Sequence, residues 1–202
     1  MANLLVYYAH PGHRHSRLNR AMAEAARNTP DVSFVDLYAS YPRHEIDVDA
    51  EQKRLVAHDV ILFQFPLFWY STPSLLKEWI DLVFDNGFAY GKDGYALVGK
   101  RMMLAVSAGA PEDAYREDGY QRHSLRSFLF PLEQTAQLCH LAFTPPYAQY
   151  GALRAEEDGL IDAHVSGYRR LLEAVRDDRL DFGEAAKRDV LTHDTLPIKG
   201  ED

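Results

Sequence analysis

Apolar residues along this chain change their spacing several times, and each change marks an element. Leu4-Leu5-Val6-Tyr7-Tyr8-Ala9 is an unbroken apolar run, the pattern of a strand covered on both faces. His10-Pro11-Gly12 ends it. From Ser16 the spacing lengthens: Leu18, Met22, Ala25 and Ala26 share one helical face, and Asn28-Thr29-Pro30 stops the helix. Val32-Ser33-Phe34-Val35-Asp36 alternates as a short second strand. A loop through Pro42 and a short helix over 50–57 follow. Residues 59–65 predict a third strand, and Pro73 opens a strong helix over 74–84 with Leu75, Leu76, Trp79, Ile80 and Val83 facing inward. Residues 102–107 predict a fourth strand and 128–141 a helix. Segments 142–144 and 147–150 bracket two prolines as a final strand. A last helix over 160–175 turns Leu160, Ile161, Val165, Tyr168, Leu171, Leu172 and Val175 inward.

Five strands alternating with helices predict an α/β architecture: an open parallel sheet with helices on both faces and right-handed crossovers. Such sheets bind ligands beyond the carboxyl ends of their strands. The loops after strands one, three and four are therefore where chemistry is to be sought.

Length and composition refine this picture. A chain of 202 residues with 47% hydrophobic residues can bury one substantial core, so a single domain over 1–182 is expected. Residues 183–202 are polar and unpatterned and are expected to form a mobile tail. A net charge of -8 with no concentrated basic surface argues against nucleic-acid binding. The lone Cys139 cannot close a disulfide within the chain and is expected to be a buried structural thiol in a reducing compartment. The N-terminus lacks a basic segment before its apolar run, so it does not read as a signal peptide. The longest apolar stretch, 60–70, is interrupted by Gln64 and Pro66 and is too short to span a bilayer. A soluble cytoplasmic protein is expected.

The first loop, His10 to Asn19, joins strand to helix. A helix start offers unpaired N–H groups and a positive dipole end, and here hydroxyl, imidazole and guanidinium donors are added, which together make a phosphate seat. It matches neither a Walker loop nor G-x-G-x-x-G. By itself, Ser16 is equally well a plain helix cap. The third-strand loop, Pro66-Leu67-Phe68-Trp69-Tyr70-Ser71-Thr72-Pro73, sets bulky rings at a strand mouth, which suits a flat heteroaromatic ligand or, alternatively, core aromatics closed by a turn. Trp79 and Phe84 are assigned to the core. In the fourth-strand loop, Ser107-Ala108-Gly109-Ala110, small residues let backbone N–H groups approach a ligand closely. Tyr115 follows at a distance from which its hydroxyl could fold back. His13 and His15 are neighbours, but no Cys/His/Asp spacing completes a metal ligand set.

The run Gln64-Phe65-Pro66-Leu67-Phe68-Trp69-Tyr70-Ser71-Thr72-Pro73, with Leu75-Leu76-Lys77-Glu78-Trp79-Ile80-Asp81 and Phe88-Ala89-Tyr90-Gly91, resembles the flavodoxin-like NAD(P)H:quinone oxidoreductases. Within them it is most similar to the bacterial ancillary proteins of glutathione-regulated potassium-efflux systems. The resemblance implies a flavodoxin-like open five-stranded parallel sheet holding FMN or FAD, with NAD(P)H as co-substrate. It implies that His10, Ser16, Arg17, Leu18 and Asn19 wrap the flavin phosphate and ribityl chain. Leu67, Phe68, Trp69 and Tyr70 would lie along the isoalloxazine, with Ser107, Ala108, Gly109 and Ala110 at its pyrimidine edge. Tyr115 matches a tyrosine that, in the animal enzymes, stabilises charge on the reduced flavin. Two positions depart from the family. Where the last loop is commonly Thr-Thr-Gly-Gly, Ala108 lacks a hydroxyl and Ala110 carries a Cβ. The histidine partnering the tyrosine is replaced near Gln121, with His123 as a substitute.

By resemblance the chain is a flavoprotein passing hydride from NAD(P)H to a quinone-type acceptor. The alternative is a flavin-binding regulatory subunit that associates peripherally, at the inner membrane face, with a potassium-efflux membrane protein. A flavodoxin-type electron carrier ranks lower, because carriers need no substrate pocket beside the ring. A homodimer is expected from the family and from the aromatic-rich stretch Trp69, Phe88, Tyr90, Tyr95.

Overall fold

The structure, a computed structural model, describes residues 1–12 and 16–201. The first apolar run forms β1 (Leu4–Tyr8), and its residues are buried throughout. Strand β2 (Val32–Asp36) pairs with it in parallel on one side and β3 (Val60–Pro66) on the other, so Leu4 faces both Val32 and Val60. Next come β4 (Arg101–Ser107), β5 (Ala142–Phe143) and β6 (Tyr147–Gln149). The expected fifth strand is divided by Pro145 and Pro146, because proline supplies no ladder N–H. Its two halves, β5 and β6, both pair in parallel with β4. The order β2-β1-β3-β4-β5 is a doubly wound sheet whose connections reverse direction beside β1, where a ligand crevice forms.

Alternate strand residues feed two cores. Leu4, Val6, Leu62 and Met103 pack under α1 (Arg17–Arg27) and α6 (Ile161–Arg176), against Leu18, Met22, Tyr168 and Leu172. On the other face Leu5, Tyr7, Ile61 and Phe63 meet α3 (Val48–Val56), α4 (Ser74–Val83) and α5 (Phe130–Leu138) through Leu55, Leu76, Trp79 and Ala136. Trp79 and Phe84 lie in this core as expected, and Cys139 is buried there. Burial pushes its thiol up to about 11, which keeps it protonated and inert. The helix expected over 128–141 divides into a 3-10 turn at Leu125–Leu129 and α5, with Pro131 in the first turn of α5.

A four-residue helix, α2 (Leu37–Ser40), capped by the Asp36 side chain, fills what the sequence read as loop. Beyond it Tyr41 donates 2.6 Å to Oε1 of Glu51, a wholly buried carboxylate that also accepts from Tyr7 and pairs with Arg54. A buried charge held by three donors is stable where a lone one would not be.

Residues 183–201, expected to trail as a mobile tail, instead close the α6 side of the sheet. After α7 (Phe182–Ala185), Leu191 forms a parallel bridge to Tyr147 and Ile198 an antiparallel bridge to Leu180. Leu191 and Ile198 are buried with Tyr147 and Tyr168, and the Arg101 guanidinium lies 3.8 Å from the centre of the Phe182 ring. Of the polar residues between them in this strap, Lys187, Arg188, Asp189 and Asp194 are exposed, whereas His193 turns inward against His164. Of the aromatics expected at an outer surface, Tyr95 is exposed, whereas Phe88 and Tyr90 are half-buried against the core. Among the described residues, no helix is long and apolar enough to cross a membrane.

Candidate functional site

At the carboxyl edge each loop is fastened to the next by one backbone hydrogen bond. Ala9 N–H donates to Gln64 O at 2.9 Å, Leu67 N–H to Ser107 O at 2.9 Å, and Ala108 N–H to Gln149 O at 2.8 Å. The loops after β1, β3, β4 and β6 therefore form one continuous shelf.

Of the first loop, His13, Arg14 and His15 lie outside the described residues. His10 is buried, its Nδ1 accepting from Gly12 N–H at 3.1 Å and its ring lying edge-on to Phe68 at 5.7 Å. Ser16 caps α1, its Oγ accepting from Asn19 N–H at 3.2 Å and Asn19 Nδ2 at 3.0 Å. Asn19 is only 3% exposed and reaches across the sheet edge. Its Nδ2 donates to Ser107 Oγ at 2.8 Å, Ser107 Oγ donates back to Oδ1 at 3.1 Å, and its carbonyl accepts from Gln64 Nε2 at 3.1 Å. The Asn19 side chain thus joins the first loop to the fourth-strand loop. Leu18 points into the core, which leaves its backbone for any ligand. Arg17 is exposed and pairs with Glu156 from the loop after β6.

The third-strand loop is a two-residue hairpin. Phe68 and Ser71 exchange N–H···O bonds of 3.0 Å in both directions. Trp69 (φ 46°) and Tyr70 (φ 65°) occupy the two central, left-handed positions, the geometry of a type I′ turn that normally selects Asn-Gly. Bulky L-residues there are strained, and strain of this kind collects at functional sites. Trp69 is 92% exposed. Tyr70 is anchored against Phe128, the rings tilted at 36° with their centres 4.8 Å apart. A cavity of about 120 Å³ opens beside this pair, between Thr72, Lys77, Phe128 and Leu132.

The small-residue loop follows β4, the strand next to β3. Ala108 is wholly buried, and among the described residues no carbonyl accepts from the Gly109 N–H. The loop after β6 clamps this segment, with Gly151 N–H donating to Ala110 O at 2.8 Å and Ala152 N–H to Ala108 O at 2.9 Å. Leu153, 87% exposed, rests directly on Gly109: a Cβ there would come within 3.0 Å of its Cδ1. Glycine is what permits that approach. Tyr115 is 7% exposed. It follows the 3-10 turn at Glu112–Ala114 and packs at 5.5 Å on Tyr150 and edge-on at 6.4 Å to Phe128. Burial pushes its phenol up from the ordinary value near 10, helped by the Tyr120 and Tyr70 phenols, while the Ala110 N–H opposes. Gln121 bonds back through its N–H to Ala114 O at 3.1 Å, and His123 is exposed, edge-on to Phe128 at 5.9 Å.

Sequence reading missed two residues of this edge. Gln149 is wholly buried at the end of β6 opposite Ser107, with neither side-chain amide atom paired among the described residues; Gln64 Oε1, two strand spacings away across β4 on the same face, is likewise unpaired. Buried amide groups are rarely left so. The only signal was a glutamine inside each apolar strand.

Exposed rings in a strained hairpin after β3, and a small-residue loop after β4 whose Gly109 N–H has no carbonyl partner among the described residues, suit a flat polycyclic ring with one polar edge. The start of α1 suits an anion attached to it. No group of three or more His, Cys, Asp or Glu side chains among the described residues could hold a metal.

Comparisons with known proteins identify the fold and its relatives. A family model described as flavodoxin-like fold matches residues 2–172. The chain is 44% identical over 171 residues, 85% of its length and 92% of the relative's, to the glutathione-regulated potassium-efflux system ancillary protein KefG of Cronobacter sakazakii. Among solved structures, general stress protein 14 of Treponema denticola, in complex with FMN, is 38% identical with a TM-score of 0.80, over 85% of this chain and 98% of the other. An NADPH-quinone reductase of P. pentosaceus is 29% identical with a TM-score of 0.74, over 84% and 96%.

Proposed function

The chain belongs to the flavodoxin-like fold family, and from that premise we propose that it is a flavin-dependent NAD(P)H oxidoreductase reducing quinone-type acceptors. The observation that carries this reading is the strained, ring-bearing Trp69-Tyr70 hairpin after β3, held beside the small-residue loop after β4 by the Leu67 N–H to Ser107 O bond. A bound flavin, FMN as in the T. denticola structure, would supply hydride acceptance and donation. The chain's part is to place and shield it. Ser16 and Arg17 at the start of α1 hold the phosphate, Leu67, Phe68, Trp69 and Tyr70 line the ring, and the 107–110 loop meets its pyrimidine edge. His10 closes the shelf beneath Phe68.

The test is one preparation measured three ways. Purified protein should carry a flavin spectrum near stoichiometric loading, released as FMN by mass, and should oxidise NAD(P)H steadily when a quinone is added. Protein that neither retains nor binds FMN would end the reading. We also propose a homodimer, which buries exposed Tyr95, Leu82 and Val98; a monomer by light scattering at full activity would remove it.

The similarity to KefG supports a second reading, a cytoplasmic ancillary subunit docking on a potassium-efflux membrane protein. Co-purification with such a transporter, together with negligible NAD(P)H turnover, would favour it over the enzyme.

The hairpin yields a trade-off between stability and binding. Trp69→Asn with Tyr70→Gly places the favoured pair in the type I′ turn and relieves roughly 1–2 kcal/mol per left-handed residue. It loses the Tyr70–Phe128 ring contact, about 0.5–1.5 kcal/mol. The flavin-free variant should therefore be about 1 kcal/mol more stable to urea and bind FMN at least tenfold more weakly. Unchanged FMN affinity would take the hairpin off the ring.

A further inference from the structure

The α6 side of β6 carries an unusual concentration of polar groups. His164, 5% exposed, sets its ring 5.1 Å from that of His193 at 81°. Nδ1 of each is buried without a hydrogen-bond partner among the described residues. His193 belongs to the closing strap, and Gly167 on α6 lets it approach: a Cβ there would overlap His193 Cβ and lie 2.7 Å from Tyr147 Oη. His164 Nε2 lies 3.2 Å from the Tyr150 carbonyl, an acceptor, so the neutral ring carries its proton on Nε2 and leaves Nδ1 as a bare lone pair. Tyr150 in turn packs on Tyr115 and immediately precedes the Gly151–Ala152 clamp on the 108–110 loop. One side chain therefore touches both the strap and the residue that supports the candidate site.

We infer that His164, paired with His193, is a positioning residue: the two form an acid-sensitive clasp that holds the strap on β6 and, through the Tyr150 carbonyl, sets the loop over Gly109. The link to the site rests on the flavin reading; the clasp itself does not. Around His164 stand His193 and Asp194 from the strap, Tyr147 and Tyr150 at β6, and Tyr168 on α6. Arg170 on α6 donates to the His193 carbonyl at 3.5 Å. Asp194, 3.2 Å from His193 Nε2, favours charge on His164, but it is exposed and screened. Burial first, and then the His193 charge, hold His164 below its ordinary value of 6.5. The released strap exposes His164 to water and lets it bind a proton more readily. The clasp is therefore at full strength above about pH 6.5 and weakens as pH falls through the docked value, by up to roughly tenfold per pH unit for one proton.

Amide hydrogen exchange on the full chain, corrected for intrinsic rates at pH 7.5 and pH 5, tests this directly. The Leu191 and Ala148 N–H groups, bonded to Pro146 O and Leu191 O, should lose about tenfold or more of their protection at pH 5, while β3 amides keep theirs. His164→Gln retains an Nε2 donor for Tyr150 without a titrating ring. It should keep strap protection at both pH values and abolish an acid-induced loss of FMN affinity of severalfold seen in the parent. Protection of Leu191 and Ala148 that is the same at both pH values in the parent overturns the clasp, and needs no variant. An acid loss identical in parent and His164→Gln overturns the assignment to His164. Exchange that falls with acid while FMN affinity holds overturns the link to the site, and failure to bind FMN at any pH counts against the flavin reading alone.

Discussion

Asn19→Ala is expected to destabilise the flavin-free protein by about 2 kcal/mol and to weaken FMN binding by an order of magnitude or more. The Asn19 side chain makes three hydrogen bonds, two of them a reciprocal exchange with Ser107 Oγ, which is itself buried. Each neutral bond is worth about 0.5–1.5 kcal/mol net, and a stranded buried hydroxyl costs about 1–3 kcal/mol. Alanine returns roughly 0.5 kcal/mol of helix propensity, which does not offset the loss. The effect on FMN follows from geometry: Asn19 ties the start of α1 to the end of β4, so the two loops proposed to take the phosphate and the pyrimidine edge keep their spacing only while it is present. A double-mutant cycle with Ser107→Ala, read by urea unfolding without flavin, should show a coupling of about 1 kcal/mol. Additive effects, or an Asn19→Ala protein within 0.5 kcal/mol of the parent, would mean that the side chain serves a ligand directly and not the loops.

How far the chain could be read before folding depended on what each residue answers to. Leu4 to Tyr8 and Val60 to Phe65 were legible because a strand buried on both faces can only be apolar. Helices α4 and α6 were legible because one face repeats at helical spacing. The strap was not. Leu180, Leu191, Leu196 and Ile198 are separated by polar residues at no fixed period, and each finds its contact singly against α6 and β6. Glu51 read as an ordinary surface acid on a short helix. Its burial depends on Tyr7, 44 positions away. At the candidate site, the ring-bearing motif marks the mouth of β3, but nothing in Trp69-Tyr70 announces a turn that prefers Asn-Gly. Local propensity and observed backbone disagree there, which is where function outweighs local preference. Leu18 shows the opposite limit: a residue matched to a binding segment by sequence spends its side chain on the core.

Tyr115→Phe should slow flavin reduction by NAD(P)H, or reoxidation by quinone, by about 10²-fold, the low end for assistance by a positioned proton donor, while flavin content stays at the parent level. The phenol is not on an exposed loop. It lies 7% exposed between Tyr150 and Phe128, beside the Ala110 N–H and next to the loop assigned to the pyrimidine edge. Phenylalanine keeps that packing, so folding and the phosphate grip at α1 should survive. What is lost is one hydrogen-bond donor, which on the proposed reading serves the negative charge that develops on the flavin, and such a donor lowers the barrier to the extent that its bond tightens in the transition state. Among the described residues no histidine contact to it is found: the Gln121 backbone N–H bonds to Ala114 O, and His123 is exposed, edge-on to Phe128. The relay is therefore short, which is why the low end is expected. The direction of its shift adds a second, independent signature. Because burial raises the phenol above 10, the proton is in place throughout the neutral range, and the parent's rate should show no inflection from this group below pH 10. Stopped-flow measurement of both half-reactions from pH 6 to 9 checks both claims. Rates in Tyr115→Phe within twofold of the parent would reduce Tyr115 to packing. A parent inflection near neutral pH that vanishes in the variant would mean that the phenol titrates in the complex, and that charge near the flavin outweighs burial.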